Sequence, residues 1–190
     1  MSSERRVLVA GLGNPGKEYS MTRHNIGFIV IEALSAAHFI TLSKKKFETD
    51  FGIGTISDRQ VILAKPLAYM NRSGPPLRRL SDFLDVALED VLVIHDDIDL
   101  EFSRIKIKSN GGHGGHNGMR SIIETFGTDR FSRIRLGVGR PDNRGKVTGH
   151  VLGRFSAEEN QELDAFIRQA VEAIETILSK GIVAGMNMYN

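Results

Sequence analysis

The chain has 190 residues, 41% hydrophobic and 25% charged, with no cysteine. That length supports one compact domain with its own core, and the composition is globular rather than disordered. The absence of cysteine excludes disulfides, thiolate nucleophiles and thiolate-held metals, and the formal net charge is only +2.

In chain order, the apolar run from Arg5 to Leu12 reads as a buried first strand, ended by Gly13-Asn14-Pro15-Gly16. Apolar residues at near-helical spacing predict a helix from Thr22 to about Phe39. Phe47 to Ile56 and Gln60 to Ala64 read as two strands joined at Asp58-Arg59, with Lys65-Pro66 stopping the second. Pro75-Pro76 opens a helix to about Leu84. Val91 to Ile94 is a buried strand that ends in His95-Asp96-Asp97, and Arg104 to Lys108 alternates basic with apolar residues. A glycine-dense loop from Asn110 to Gly118 follows, then a helix from Met119 to Phe126, a strand from Arg133 to Val138 and a long amphipathic helix from Glu158 to Leu178. Strands alternating with helices, several apolar throughout, predict one three-layer α/β/α domain over residues 1–190, with a central mixed, mostly parallel sheet. No window nears the roughly 20 apolar residues of a membrane span, and the N-terminus lacks the apolar core of a signal peptide, so a cytoplasmic protein is expected.

The small net charge conceals an asymmetry. Residues 104–146 hold ten basic and three acidic residues, a surplus of seven, while the segments before and after it are both net negative. Such a local surplus marks a polyanion footprint or a solvated basic face.

Gly11-Leu12-Gly13-Asn14-Pro15-Gly16 matches the G-x-G-x-x-G dinucleotide fingerprint after a strand. The fingerprint needs a helix to begin within the glycines, and here Asn-Pro-Gly-Lys-Glu-Tyr postpones it. The acid expected at the end of a second strand is also missing; Glu32 lies inside the first helix. His24 opens that helix, and Asp96 ends a buried strand, where open α/β sheets place their sites. A carboxylate there can hold an imidazole in one tautomer and stabilise its charged form, and can equally serve as a turn or helix cap. His95, one residue earlier, points the other way along a strand and reads as structural. Asn117 suits the N-cap of the helix after the glycine loop, or a ligand contact. Asn71, on a loop beside Met70, offers the paired donor and acceptor that suit a peptide group. No G-x-S-x-G elbow supports a serine nucleophile. His113, His116 and Asp96 are conceivable metal ligands, but no metal-binding spacing joins them.

Together, Gly11–Gly16, Tyr19, Thr22-Arg23-His24-Asn25-Ile26-Gly27, Tyr69-Met70-Asn71-Arg72-Ser73-Gly74, His95-Asp96-Asp97-Ile98-Asp99 and Gly111–Gly118 resemble the bacterial-type peptidyl-tRNA hydrolase family. The resemblance runs from about Val7 to Asn187, in order. It implies a monomeric enzyme, free of cofactor and metal, that cleaves the ester between a peptide and the tRNA 3′ ribose. It implies His24 as general base, Asp96 as the acid that orients it, and Asn14 as a residue that positions the scissile region. Asn71 and Asn117 would then hydrogen-bond the peptide backbone and terminal adenosine. Tyr19, Tyr69, Met70 and the backbone of Gly114 and Gly115 would line the cleft. Lys106, Lys108 and Arg135 would clamp acceptor-stem phosphates. Ala68 replaces a small polar residue found in many members, His113 occupies a variable place, and the tail Asn187–Asn190 is uncharged. Two other readings stay open: a nucleotide-dependent oxidoreductase built on the glycine motif, and an inactive tRNA- or ribosome-binding module. The second would need none of His24, Asp96 and Asn14.

Overall fold

Seven strands form one sheet in the order β2-β3-β4-β1-β5-β7-β6, in a computed structural model that describes residues 5–141 and 144–190. The first four residues, and Asp142 of the basic segment, lie outside the described residues. The strands are β1 (Val7–Gly11), β2 (Lys44–Lys46), β3 (Thr49–Ile56), β4 (Arg59–Pro66), β5 (Val91–Asp97), β6 (Ile105–Lys108) and β7 (Ser132–Gly137). The helices are α1 (Ile26–Ala37), α2 (Gly74–Phe83), α3 (Asn117–Phe126), α4 (Val147–Val151), α5 (Ala157–Lys180) and α6 (Ile182–Tyr189).

The sheet is mixed, as the sequence implied. Its centre is parallel, with β1 between β4 and β5 and with β7 beside β5. Its margins are antiparallel: β2, β3 and β4 on one side, β6 and β7 on the other. Alternate residues of each strand feed two cores, so the sheet has helices on both faces. Val7, Val9, Leu92, Ile94, Ile134 and Leu136 pack with α1 and α5. Leu8, Ala10, Ile62, Val91 and Val93 pack with α2 and α3.

Several elements differ from expectation. The first helix begins at Ile26 rather than Thr22, because Thr22 is extended and bridged to Arg154, and a 3-10 turn covers Arg23–Asn25. β4 runs through Pro66, which pairs with Thr49 of its antiparallel neighbour. β2 is three exposed lysines, a composition with little strand propensity that is held by pairing with β3. α4 is too short to show periodicity in sequence. α6 was hidden by Gly185, which the packing requires: a Cβ there would lie 2.7 Å from Ile177 and 3.3 Å from Ile107. At the end of α6, the Asn190 side chain accepts from the Ile107 N–H at 2.7 Å and donates to the Ile107 carbonyl at 3.0 Å. It thereby occupies both backbone groups of the middle of edge strand β6.

Candidate active site

The site lies at the carboxyl ends of β1 and β5, where parallel sheets open their crevices. Two glycines bring α1 down onto those ends. A Cβ on Gly11 would sit 2.1 Å from the Gly27 carbonyl oxygen, and one on Gly27 would sit 2.5 Å from the Leu12 nitrogen and 2.6 Å from the Ile94 oxygen. Only backbone fits between helix and sheet. The glycine motif thus serves close packing of α1, and no helix begins within it.

That approach sets His24 over Asp96. His24 Nδ1 lies 2.9 Å from Asp96 Oδ1 and 2.8 Å from Oδ2. Facing a carboxylate, Nδ1 carries the proton, and Nε2 is the basic nitrogen. Burial disfavours the charged ring, but the charge and hydrogen bond of Asp96 outweigh it and leave the His24 pKa raised. Burial would likewise raise Asp96; its interactions with His24 and then His116 overcome this and hold the carboxyl well below its usual range.

His116 is the second imidazole on Asp96, with Nε2 at 2.8 Å from Oδ1. Its Nδ1 accepts the Met119 N–H at 3.2 Å, making His116 the N-cap of α3. The cap therefore falls one residue before Asn117, the expected one, because His116 is still extended while Asn117 is already helical. An Nδ1 that accepts leaves the proton on Nε2, so His116 is a neutral donor to Asp96. His24, Asp96 and His116 place donor atoms within 4.8 Å of one another, a geometry that could suit a metal. The proton on His116 Nε2 occupies the lone pair a metal would need, which leaves only His24 and Asp96 as ligands. His113, one of the ligands considered from sequence, instead accepts the Gly115 N–H at 3.0 Å.

His95 faces away from Asp96, as strand alternation implied. Its Nδ1 is 2.7 Å from the Asp96 carbonyl oxygen, and burial pushes its pKa well below the usual value. A neutral ring donates there.

Asn14 is buried and doubly tied. Its backbone N–H donates to Asn25 Oδ1 and its carbonyl accepts from Asn25 Nδ2, both at 2.9 Å. Its own Oδ1 accepts the Met70 N–H at 2.7 Å, which leaves Nδ2 as the donor for a ligand. Met70 in turn lies under the start of α3, where a Cβ on Gly118 would meet its sulfur at 2.5 Å.

A cleft of about 680 Å³ joins these groups. The structure brings Asn14, Tyr19, His24, Tyr69, Met70, Asn71, Asp96, Gly114, Gly115 and Asn117 to its lining. It also shows lining that was not assigned from sequence: His116, Asp97 at the end of β5, Ile98 in the turn after it, and a wall from α4 made of Val147, Thr148, Val151 and the following Leu152. Arg140, another lining residue, is ion-paired to Asp99. The signal for His116 was its place just before the first helical residue; for α4, five residues offered none.

Lys106, Lys108 and Arg135 do not line the cleft. They lie on the β6–β7 edge, where Lys106 stands across from Arg135 and Lys108 across from Arg133. Opposed residues share a face, so four cations form a block beside the site. Arg133 is buried; it donates to the Gly112 carbonyl at 3.1 Å and the Asp129 carbonyl at 3.0 Å, which anchors the glycine loop. Burial lowers its pKa to about 10, against the pull of Asp129 and with the push of Arg135.

A carboxylate-held imidazole over an amide-lined cleft, on an α/β sheet, defines an enzyme of the hydrolytic class. The sequence pattern of the family described as peptidyl-tRNA hydrolase matches residues 8–190. The chain is 47% identical to peptidyl-tRNA hydrolase of Bacillus pumilus over 97% of this chain and 98% of that protein. It is 48% identical to that of Clostridium novyi over 96% and 97%. A crystal structure of peptidyl-tRNA hydrolase from Acinetobacter baumannii superposes with a TM-score of 0.92 at 38% identity, covering 100% of this chain and 97% of that one. The chain belongs to the peptidyl-tRNA hydrolase family.

Proposed function

We propose that this protein hydrolyses the ester between peptide and tRNA in peptidyl-tRNAs released from stalled or aborted translation. The observation that carries the reading is the His24–Asp96 pair, whose basic nitrogen belongs to a cleft-lining ring. His24 Nε2 takes a proton from water as the water oxygen attacks the ester carbonyl carbon. Asp96 stabilises the imidazolium that forms, and His116 holds the carboxylate in place. Asn14 Nδ2 is a neutral donor suited to the developing oxyanion. The imidazolium then returns its proton to the departing ribose oxygen, releasing free peptide and tRNA. Asn71 and Asn117, both exposed on the cleft rim, suit the repeating peptide backbone and terminal adenosine.

Lys106, Lys108 and Arg135 bind acceptor-stem phosphates, so tRNA is selected by charge and shape rather than by peptide sequence. The protein acts as a monomer in the cytoplasm, without metal or cofactor; among the described residues, no helix is long and apolar enough to cross a membrane. The deciding experiment is incubation with labelled peptidyl-tRNA. The native protein should release peptide, and His24→Ala should slow the chemical step by on the order of 10²–10⁴-fold while binding of uncleaved tRNA changes little. A near-native rate in His24→Ala would remove His24 from the mechanism, and loss of activity with a chelator would overturn its metal independence.

A further inference from the structure

Arg135 is the one member of the β6–β7 cation block that a carboxylate holds, among the described residues. Its Nε donates to Asp97 Oδ2 at 2.5 Å, and the two side chains are only 19% and 11% exposed. The other oxygen of Asp97 accepts the Asp99 N–H at 2.8 Å, so the carboxylate is itself fixed to the turn after β5. Arg135 stands directly across from Lys106 on one side and from His95 on the other. His95 is kept neutral by burial and adds no further positive charge beside Arg135. Like charges opposed across a sheet are destabilising, so Lys106 and Arg133 both tend to drive this guanidinium away.

We propose that Asp97 is a positioning residue for RNA binding: it grips Arg135 through Nε, so that the two η nitrogens are presented to a phosphate. The inference rests on the reading of Arg135 as a phosphate ligand. An arginine fork has five N–H donors, and one spent on Asp97 leaves the four at the η nitrogens for a second anion. A lysine in the same place has a single ammonium and no such division of labour.

The proposal has a sign that charge alone reverses. Asp97 is an anion next to a polyanion site. If it acted only through its charge, its removal would strengthen RNA binding and steepen the salt dependence. If it positions Arg135, its removal frees the guanidinium to move away from Lys106, and binding weakens.

The test is binding of uncharged tRNA to the full-length protein over a salt series, for the native chain, Asp97→Asn, Arg135→Ala and the double variant. Asparagine keeps an acceptor for the Asp99 N–H, and thermal melting checks that each variant is folded; Asp97→Ser replaces it if the asparagine variant is not. Arg135→Ala should weaken binding and flatten the log–log salt slope by about 0.7–0.9, one phosphate contact. Asp97→Asn should weaken binding and flatten the slope in the same direction. In the double variant, the Asp97 change should add nothing or partly restore affinity, since no arginine is left to hold. Tighter binding by Asp97→Asn, or an equal loss in the Arg135→Ala background, overturns the proposal. If Arg135→Ala weakens binding and Asp97→Asn does not, the inference alone fails. If Arg135→Ala changes neither affinity nor slope, the phosphate reading fails and the inference falls with it.

Discussion

His24 and His116 reach the same carboxylate from helices on opposite faces of the sheet, their ring centroids 5.0 Å apart over Asp96. One ring donates through Nδ1 and keeps a basic nitrogen; the other donates through Nε2 and gives its remaining nitrogen to a helix end. Two residues of one type are thus committed to different protonation chemistry by their second hydrogen bond.

The first prediction concerns Asp96→Asn. If His24 is the general base, its neutral form is the active one, so the rate should fall on the acidic side, with a midpoint above the ordinary histidine value, because Asp96 raises the His24 pKa. Asparagine fits the space but removes the charge, leaving burial as the dominant influence. The midpoint should then move to lower pH, with a lower plateau rate. A pH–rate profile with an unmoved midpoint would show that the two residues are uncoupled.

His116 separates two roles by substitution. His116→Ala removes an N-cap, which costs about 1 kcal/mol, and a donor to Asp96. With that donor gone, more carboxylate charge acts on His24, and the activity midpoint should move to higher pH. His116→Asn can cap α3 again but is too short to reproduce the ring's reach to Asp96. It should therefore recover melting temperature while keeping the shifted midpoint. Recovery of both together would reduce His116 to a cap.

Lys108→Ala addresses the basic edge. Lys108 is half-buried on the edge strand, its amine near Gly111 at the start of the glycine loop. If it binds a phosphate, the substitution lowers the salt slope of tRNA binding by about 0.7–0.9. Cleavage of a minimal ester substrate without an acceptor stem should barely change. An unchanged slope would remove Lys108 from the phosphate contacts.

Gly27→Ala tests the close approach of α1. The added Cβ meets backbone atoms of Leu12, just past β1, and of Ile94 in β5, which cannot turn aside as a flexible side chain would. Overpacking of this kind costs roughly 1–3 kcal/mol, and any tilt of α1 also moves His24 from Asp96. A lower melting temperature with a lower kcat is the expected pair of results. Gly149→Ala is the control for stability, since nothing lies within 4 Å of its added Cβ.

The legible part of this protein was what periodicity and strand ends encode. Buried runs such as Val91–Ile94 announced central strands, and His24 and Asp96 stood at element ends where chemistry collects. Partnerships set by tertiary distance were not legible. Nothing in Gly115-His116-Asn117 says which of the two polar residues caps the helix, because that turns on one ψ angle. Nothing beside Arg135 in sequence reveals that its acid is Asp97, 38 positions away. β2 and α6 escaped because pairing and packing override the propensities of Lys44–Lys46 and Gly185.

Both open edges of the sheet carry a defence against self-association. A free edge invites another chain to add a strand, and the usual deterrents are charge or cover. β2 presents three lysines, so a second copy arriving there meets its own charge. β6 is also basic, and it goes further: at Ile107 the Asn190 amide already fills the hydrogen-bonding positions an incoming strand would need. A side chain from the end of the last helix acts there as a one-residue strand, closing the edge without covering the side chains of Lys106 and Lys108.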